Sequence, residues 1–145
     1  MAPMDSLTKL LGGRTVLGTT LKNEDDLVEL VREGLPYASL ERVADGLQLT
    51  LDEAADSLRL PRRSLSRRKE KGEKLNPQES ERALRLARLA VRAEEVLGDM
   101  EKVYRWLRKP NRALGGKPPL SMLDVDVGAA QVEHVLGRIQ YGVYS

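Results

Sequence analysis

Residues 47–79 read LQLTLDEAADSLRLPRRSLSRRKEKGEKLNPQE, and the rest of the chain takes its place from them. Thr50-Leu-Asp-Glu53 has the form of a capping box. The threonine hydroxyl accepts from a free backbone N–H of the first turn, and the Glu53 carboxylate reaches back to the N–H of the cap. A helix of about two turns therefore begins at Leu51, with Ala54, Ala55 and Leu58 on one side. Leu60-Pro61 interrupts it, because proline has no N–H for a helix interior yet suits a first helical position. A second helix is predicted from Pro61 to Lys71, stopped by Gly72. On a wheel of roughly 100° per residue, Arg62, Arg63, Ser66, Arg67 and Glu70 share one arc of roughly 140°, and Leu65 falls outside it. Ala55 is small where two helices must approach closely, and Leu58, Leu60 and Leu65 supply a shared apolar wedge. This is the pattern of a helix-turn-helix.

Two positions depart from that pattern. Arg59 stands where the turn commonly has glycine, and Arg68 occupies the last buried position of the second helix, so its guanidinium must snorkel past its own aliphatic stem. From Arg59 to Lys71 there are seven basic residues against one acid, Glu70, whereas the whole chain has a formal net charge of only +2. The expected DNA-contacting set is Arg62, Arg63, Ser66, Arg67 and Arg68, a face for phosphates and base edges, set against the alternative of a solvated charged helix.

With 145 residues the chain supports one domain or two small ones. It has no cysteine, which excludes disulfides and thiolate-bound metals and fits a reducing cytoplasm. Four Tyr, one Trp and no Phe leave a core of Leu, Val, Ala and Ile, which points to helices. No apolar run approaches the ~20 residues of a membrane span, and the first 18 residues lack the apolar stretch of an export signal.

Residues 1–20 mix glycine and threonine with scattered apolar residues, and they read as an irregular arm. Asn23 caps a helix with an acidic first turn and with Leu27, Leu30 and Val31 inward; Gly34 ends it. Leu35-Pro36 opens another, with Leu40, Val43 and Ala44 buried, ending at Gly46. Asn76-Pro77-Gln78-Glu79 is a second strong helix start. The helix it opens runs without Gly or Pro to Leu97, with Ala83, Leu84, Ala87, Ala90, Val91 and Leu97 on one side and Arg82, Arg85, Arg88 and Arg92 on the other. That arginine row suits either a line of phosphates or a face laced with salt bridges. Met100 to Lys109 makes a further helix with Val103, Trp106 and Leu107 inward. After a loop from Asn111 to Pro119, a last helix presents Val132, Val135, Leu136 and Ile139 as one stripe and His134, Arg138 and Tyr141 together on the far side.

The C-terminal run KPPLSMLDVDVGAAQVEHVLGRIQYGVYS is similar to the toxin-binding domain of the Xre/MbcA/ParS antitoxin family, which closes on a P-L-x-x-L-D…G…V…L-x-R-I-x-Y-G pattern. Pro119, Leu120, Leu123, Asp124, Gly128, Val132, Leu136, Arg138, Ile139, Tyr141 and Gly142 carry it here. The resemblance extends upstream through the helix-turn-helix and Gly34-Leu35-Pro36, over roughly residues 26–145. It implies an antitoxin paired with a RES-domain toxin that degrades NAD⁺, with operon autoregulation through operator DNA. It also implies that the C-terminal end covers the entrance of the toxin's active site. The expected toxin contacts are accordingly His134, Arg138, Tyr141, Gly142, Val143, Tyr144 and Ser145, since tyrosine rings and a carboxylate suit a pocket that accepts a base, a ribose and a pyrophosphate.

Catalysis is not supported: the one histidine, His134, has no matched base or nucleophile, and the acids are scattered. No catalytic or metal-binding residue and no cofactor is expected. The reading is an all-α protein with an irregular N-terminal arm (1–20), a helix-turn-helix DNA-binding domain (21–75), and a long helix leading into a small helical toxin-binding domain (76–145). It is expected to be cytoplasmic and to act as a homodimer or higher oligomer on double-stranded DNA and on a toxin protein. A stand-alone repressor is the alternative, and it leaves the tyrosine-ended tail without a role.

Overall fold

Asn76 Oδ1 accepts the Glu79 N–H at 2.8 Å while Glu79 Oε1 accepts the Asn76 N–H at 2.8 Å. This reciprocal cap, with Pro77 at the first position, starts the longest helix of the chain, Pro77–Leu97. The computed structural model describes residues 3–142. In chain order its α-helices are α1 (Pro3–Leu10), α2 (Gly13–Leu17), α3 (Glu24–Glu33), α4 (Tyr37–Gly46), α5 (Leu51–Ser57), α6 (Arg62–Lys71), α7 (Pro77–Leu97), α8 (Met100–Arg108) and α9 (Asp126–Gln140). Two short 3₁₀ turns, Arg112–Leu114 and Pro119–Met122, lie between α8 and α9. No strand occurs among the described residues, and the all-α expectation holds.

Helix α7 is the spine. Ala83, Leu86, Ala87, Ala90 and Ala93 are fully buried, and the helix packs against α1, α3 and α4 on the N-terminal side and against α8 and α9 on the C-terminal side. Its small residues let neighbours approach from several directions, so one helix serves both halves of the molecule. The core is continuous, running from Leu7 and Leu11 through Leu35, Leu40 and Leu58 to Val103, Leu123, Val132 and Leu136.

The first 20 residues correct the expectation of an irregular arm. Leu7 and Leu11 are buried, α1 packs on α7 and α4, and the Ser39 hydroxyl donates to the Leu11 carbonyl at 2.8 Å. Leu7, Leu10 and Leu11 do have helical spacing; the repeat is only about one turn long, too short to stand out before its partner helices are known. The Asn111–Pro119 segment likewise has more to bury than its glycines suggest: Leu114 lies within the core and Pro119 is buried. No helix among the described residues is long and apolar enough to cross a membrane.

Two glycines are fixed by close approach. Gly34 has φ +98°, and a Cβ there would strike the Leu75 carbonyl oxygen; Gly128 in the first turn of α9 would strike the Met122 carbonyl oxygen. The first lets the α3–α4 corner meet the strand of chain entering α7, and the second lets α9 sit on the turn that precedes it.

Candidate DNA-reading helix and partner-binding face

The helix-turn-helix forms with its cap as read from the sequence. Thr50 Oγ1 accepts the Glu53 N–H at 3.0 Å, and Glu53 Oε1 accepts the Thr50 N–H at 2.9 Å. Ala54, Ala55, Leu58, Leu60 and Leu65 are all buried between α5, α6 and their supports. Pro61 caps α6 rather than opening it, and the helix begins one residue later, at Arg62. Arg59 adopts the left-handed conformation, φ +53°, that glycine usually supplies at such a turn. Contacts from the other half of the molecule hold it there: Arg82 Nη1 donates to the Arg59 carbonyl at 3.0 Å, and the Arg59 guanidinium lies 3.1 Å from Asp124.

The five residues expected on the reading face separate into three groups. Arg63, Ser66 and Arg67 are exposed, and neither arginine has a carboxylate partner among the described residues. Arg62 is exposed but turned back onto α5, 2.5 Å from Asp56 and 3.5 Å from Asp52, and the hydrogen bond to Asp56 chiefly raises its pKa further above the ordinary arginine value. Arg68 corrects the expectation. Its side chain is only 14% exposed, with Nε 2.8 Å from Glu79 and Nη1 3.0 Å from Glu73, so its guanidinium joins α6 to the cap of α7 instead of reaching outward. The snorkelling argument fails because the sequence alone does not place the Glu79 carboxylate within the same corner.

The arginine row of α7 is resolved in the same way. Arg85 donates to the Leu123 carbonyl at 2.9 Å and pairs with Asp126. Arg88 reaches Glu24 at 2.7 Å, and Arg92 reaches Gln140 at 2.6 Å. The row is a set of struts from the spine to α3, to α9 and to the helix-turn-helix, and none of the four side chains is left free for a phosphate.

On α9 the described part of the expected toxin face is assembled. His134, Arg138 and Tyr141 border one shallow hollow with Ala130, Glu133 and Gly137. Tyr141 is 78% exposed just past the end of the helix, and Val127, at its start, is 71% exposed. The buried stripe of Val132, Val135 and Leu136, with Ile139 partly covered, faces α7 and fixes which side remains outward. Gly142 is exposed with φ +73°. Val143, Tyr144 and Ser145 lie outside the described residues. Among the described residues no group of His, Cys, Asp or Glu is placed to hold a metal ion.

Fold and faces together define a two-part helical protein: a helix-turn-helix with an exposed basic second helix, joined through one spine helix to a helical domain with one solvent-facing helix. Comparison with known proteins agrees with both parts. Residues 26–88 match the antitoxin Xre-like helix-turn-helix domain, and residues 92–142 match the antitoxin Xre/MbcA/ParS C-terminal toxin-binding domain. The two matches meet on α7. Among relatives, the chain is 32% identical over 117 residues to Antitoxin Xre of Photorhabdus laumondii, covering 80% of this chain and 79% of that one. It is 30% identical over 120 residues to Antitoxin Xre of Yersinia enterocolitica, covering 82% and 81%. A third relative, the Prs ADP-ribosylating antitoxin of a Sphingobium strain, is 28% identical over 129 residues, covering 83% and 81%. The chain belongs to the Xre/MbcA/ParS antitoxin family, and it is an antitoxin rather than an enzyme.

Proposed function

We propose that the protein neutralises a RES-domain toxin that degrades NAD⁺, with its C-terminal end blocking the toxin's active site, and that as a cytoplasmic homodimer or higher oligomer it binds operator DNA to repress its own operon. The proposal keeps the division suggested by the sequence, with the DNA-reading part ahead of α7 and the toxin-binding part from α7 onward. The observation that carries the toxin half is Tyr141: a large aromatic side chain is left in solvent at the end of a helix whose apolar stripe is already satisfied, with His134 and Arg138 beside it. An exposed ring flanked by a cation suits a contact that buries the ring and rims it with charge. One relative is named for ADP-ribosylation, a chemistry that draws its ADP-ribosyl group from NAD⁺, which supports an NAD⁺-using partner.

For the DNA half, Arg63, Ser66 and Arg67 supply the reading face. A dimer would place two such faces on half-sites about 34–36 Å apart, one helical turn, or a multiple of it. The decisive experiment measures NAD⁺ loss caused by the cognate toxin in the presence of the intact protein and of a form truncated after Gln140. Truncation removes Tyr141 and Gly142, both exposed, together with the three residues that follow them, and the melting temperature should hold while inhibition is lost. A truncated protein that inhibits as well as the intact one would refute the blocking role.

A further inference from the structure

Between Glu101 and Asp124 the chain carries six basic residues, Lys102, Arg105, Arg108, Lys109, Arg112 and Lys117, and no acid. It is the second strongly basic stretch of the molecule, and it lies outside both the reading helix and α9. Arg105 is taken by Glu101 at 2.7 Å and Arg108 by Glu53 at 3.1 Å. Lys109, Arg112 and Lys117 are exposed and have no carboxylate partner among the described residues.

These three are gathered by one tight loop. The Asn111 N–H donates to the Lys117 carbonyl at 3.1 Å, Asn111 Oδ1 accepts the Ala113 N–H at 2.9 Å, and Leu114 anchors the loop in the core. Three like charges held over nine residues repel one another, and a polyanion neutralises them while releasing its own condensed counterions. The root of the loop is docked on the helix-turn-helix: Arg108, the last residue of α8, donates to the Gln48 carbonyl at 2.9 Å and pairs with Glu53 at the start of α5. When a helix-turn-helix docks on duplex DNA, the first helix crosses the phosphate backbone while the second lies in the major groove. The loop therefore starts beside the helix that would cross the phosphate backbone, while its own 3₁₀ turn packs on α9.

We infer that Lys109, Arg112 and Lys117 form a second DNA contact, made to the phosphodiester backbone next to the bases read by Arg63 and Arg67. The contact is independent of sequence because it is made to phosphates, which carry no base identity. An acidic toxin surface is the competing occupant, because Ala113 and Leu114 also border a hollow with His134 and Arg138 on α9. The docking of the loop root on α5 and the absence of any acid over the stretch decide for DNA. The inference rests on the helix-turn-helix being a DNA-binding element.

The test compares the intact protein, the triple variant Lys109→Gln/Arg112→Gln/Lys117→Gln and the variant Arg63→Ala/Arg67→Ala. Each is titrated by fluorescence anisotropy against a duplex from its own promoter and an unrelated duplex, at several salt concentrations. Each lost phosphate contact lowers the slope of log affinity against log salt by about 0.9, so over a four-fold rise in salt the intact protein should lose about 40-fold more affinity than the triple variant. The triple variant should weaken on both duplexes by the same factor, and its melting temperature and toxin inhibition should be unchanged. An unchanged slope overturns the inference. Where that result comes with weakened toxin inhibition, the loop belongs to the protein interface; where Arg63→Ala/Arg67→Ala still abolishes promoter preference, the DNA-reading assignment survives without it. An intact protein that binds neither duplex refutes the DNA reading itself, and the inference falls with it.

Discussion

Replacing Arg68 by alanine separates a structural arginine from a DNA contact. In the folded protein the Arg68 guanidinium sits 2.8 Å from Glu79, whose side chain is 7% exposed and whose carboxylate also caps α7 through the Asn76 N–H. Removing the guanidinium leaves that carboxylate largely shielded from water with one donor in place of two. Breaking a fully buried pair from one side costs about 3–5 kcal/mol, and an unsatisfied buried polar group about 1–3 kcal/mol. The residual exposure of Arg68 and the surviving cap put Arg68→Ala at about 2–3 kcal/mol. For a chain of this size that lowers the melting temperature by roughly 4–10 °C. Arg68→Met combined with Glu79→Gln should recover most of it, because the aliphatic stem is kept and no charge is left unpaired. Denaturant melts of the two single variants and the double give the coupling directly. Well below the melting temperature, DNA affinity should match that of the unaltered protein. A stable Arg68→Ala variant with weakened DNA binding would show that the guanidinium turns outward to DNA and refute the argument.

Further outcomes follow from the same contacts. Arg63→Ala or Arg67→Ala should each cost ~1–3 kcal/mol of operator binding and relax preference at one base pair, read by gel-shift competition among operator variants. Arg88→Ala, which removes a strut to Glu24 at 2.7 Å, should leave the salt slope of DNA binding unchanged; a fall of about one unit would return the row to the phosphates. Glu53 is held below the usual carboxylate range, first by the Thr50 N–H and then by Arg108. A group with a depressed folded pKa stabilises the fold above its unfolded pKa, and that contribution is lost as pH falls through the folded pKa. Acid melts should therefore be shallower for Glu53→Gln than for the intact protein below the ordinary carboxylate range.

The sequence was most legible where a local chemical rule acts alone. Both capping boxes, at Thr50 and Asn76, name their own partners three residues away, and both are present with the geometry expected. It was least legible where partners come from far along the chain. The arginines of α7 offered no local sign that their acceptors would be Glu24, Leu123 and Asp126, 38 to 64 residues distant. Arg68 was hidden at shorter range, its acceptors Glu73 and Glu79 lying 5 and 11 residues on across a helix end, and the helical arm was hidden by partners on α4 and α7. At Arg59 the sequence raised the right question, an arginine where a turn wants glycine, but the answer needed Asp124 and Arg82, which only the fold brings to it.

The residues that carry the family pattern sort themselves once the fold is known. Pro119, Leu123, Gly128, Val132 and Leu136 are buried, and Leu120 and Ile139 pack against the same core. Asp124 holds the helix-turn-helix turn through Arg59. All of these are needed to build the domain and to fix α6, whatever the domain binds. Arg138, Tyr141 and Gly142 are left, and the fold makes no demand that would explain a ring in solvent. An apolar side chain kept out of the core contributes nothing to stability and becomes useful only when a partner covers it. Tyr141→Ala should therefore leave the melting temperature unchanged and lower the affinity for the toxin by roughly 10- to 150-fold, the equivalent of about 1.5–3 kcal/mol for desolvating one large side chain. Calorimetric titration of the toxin checks it, and an unchanged affinity would move the interface away from this end of α9.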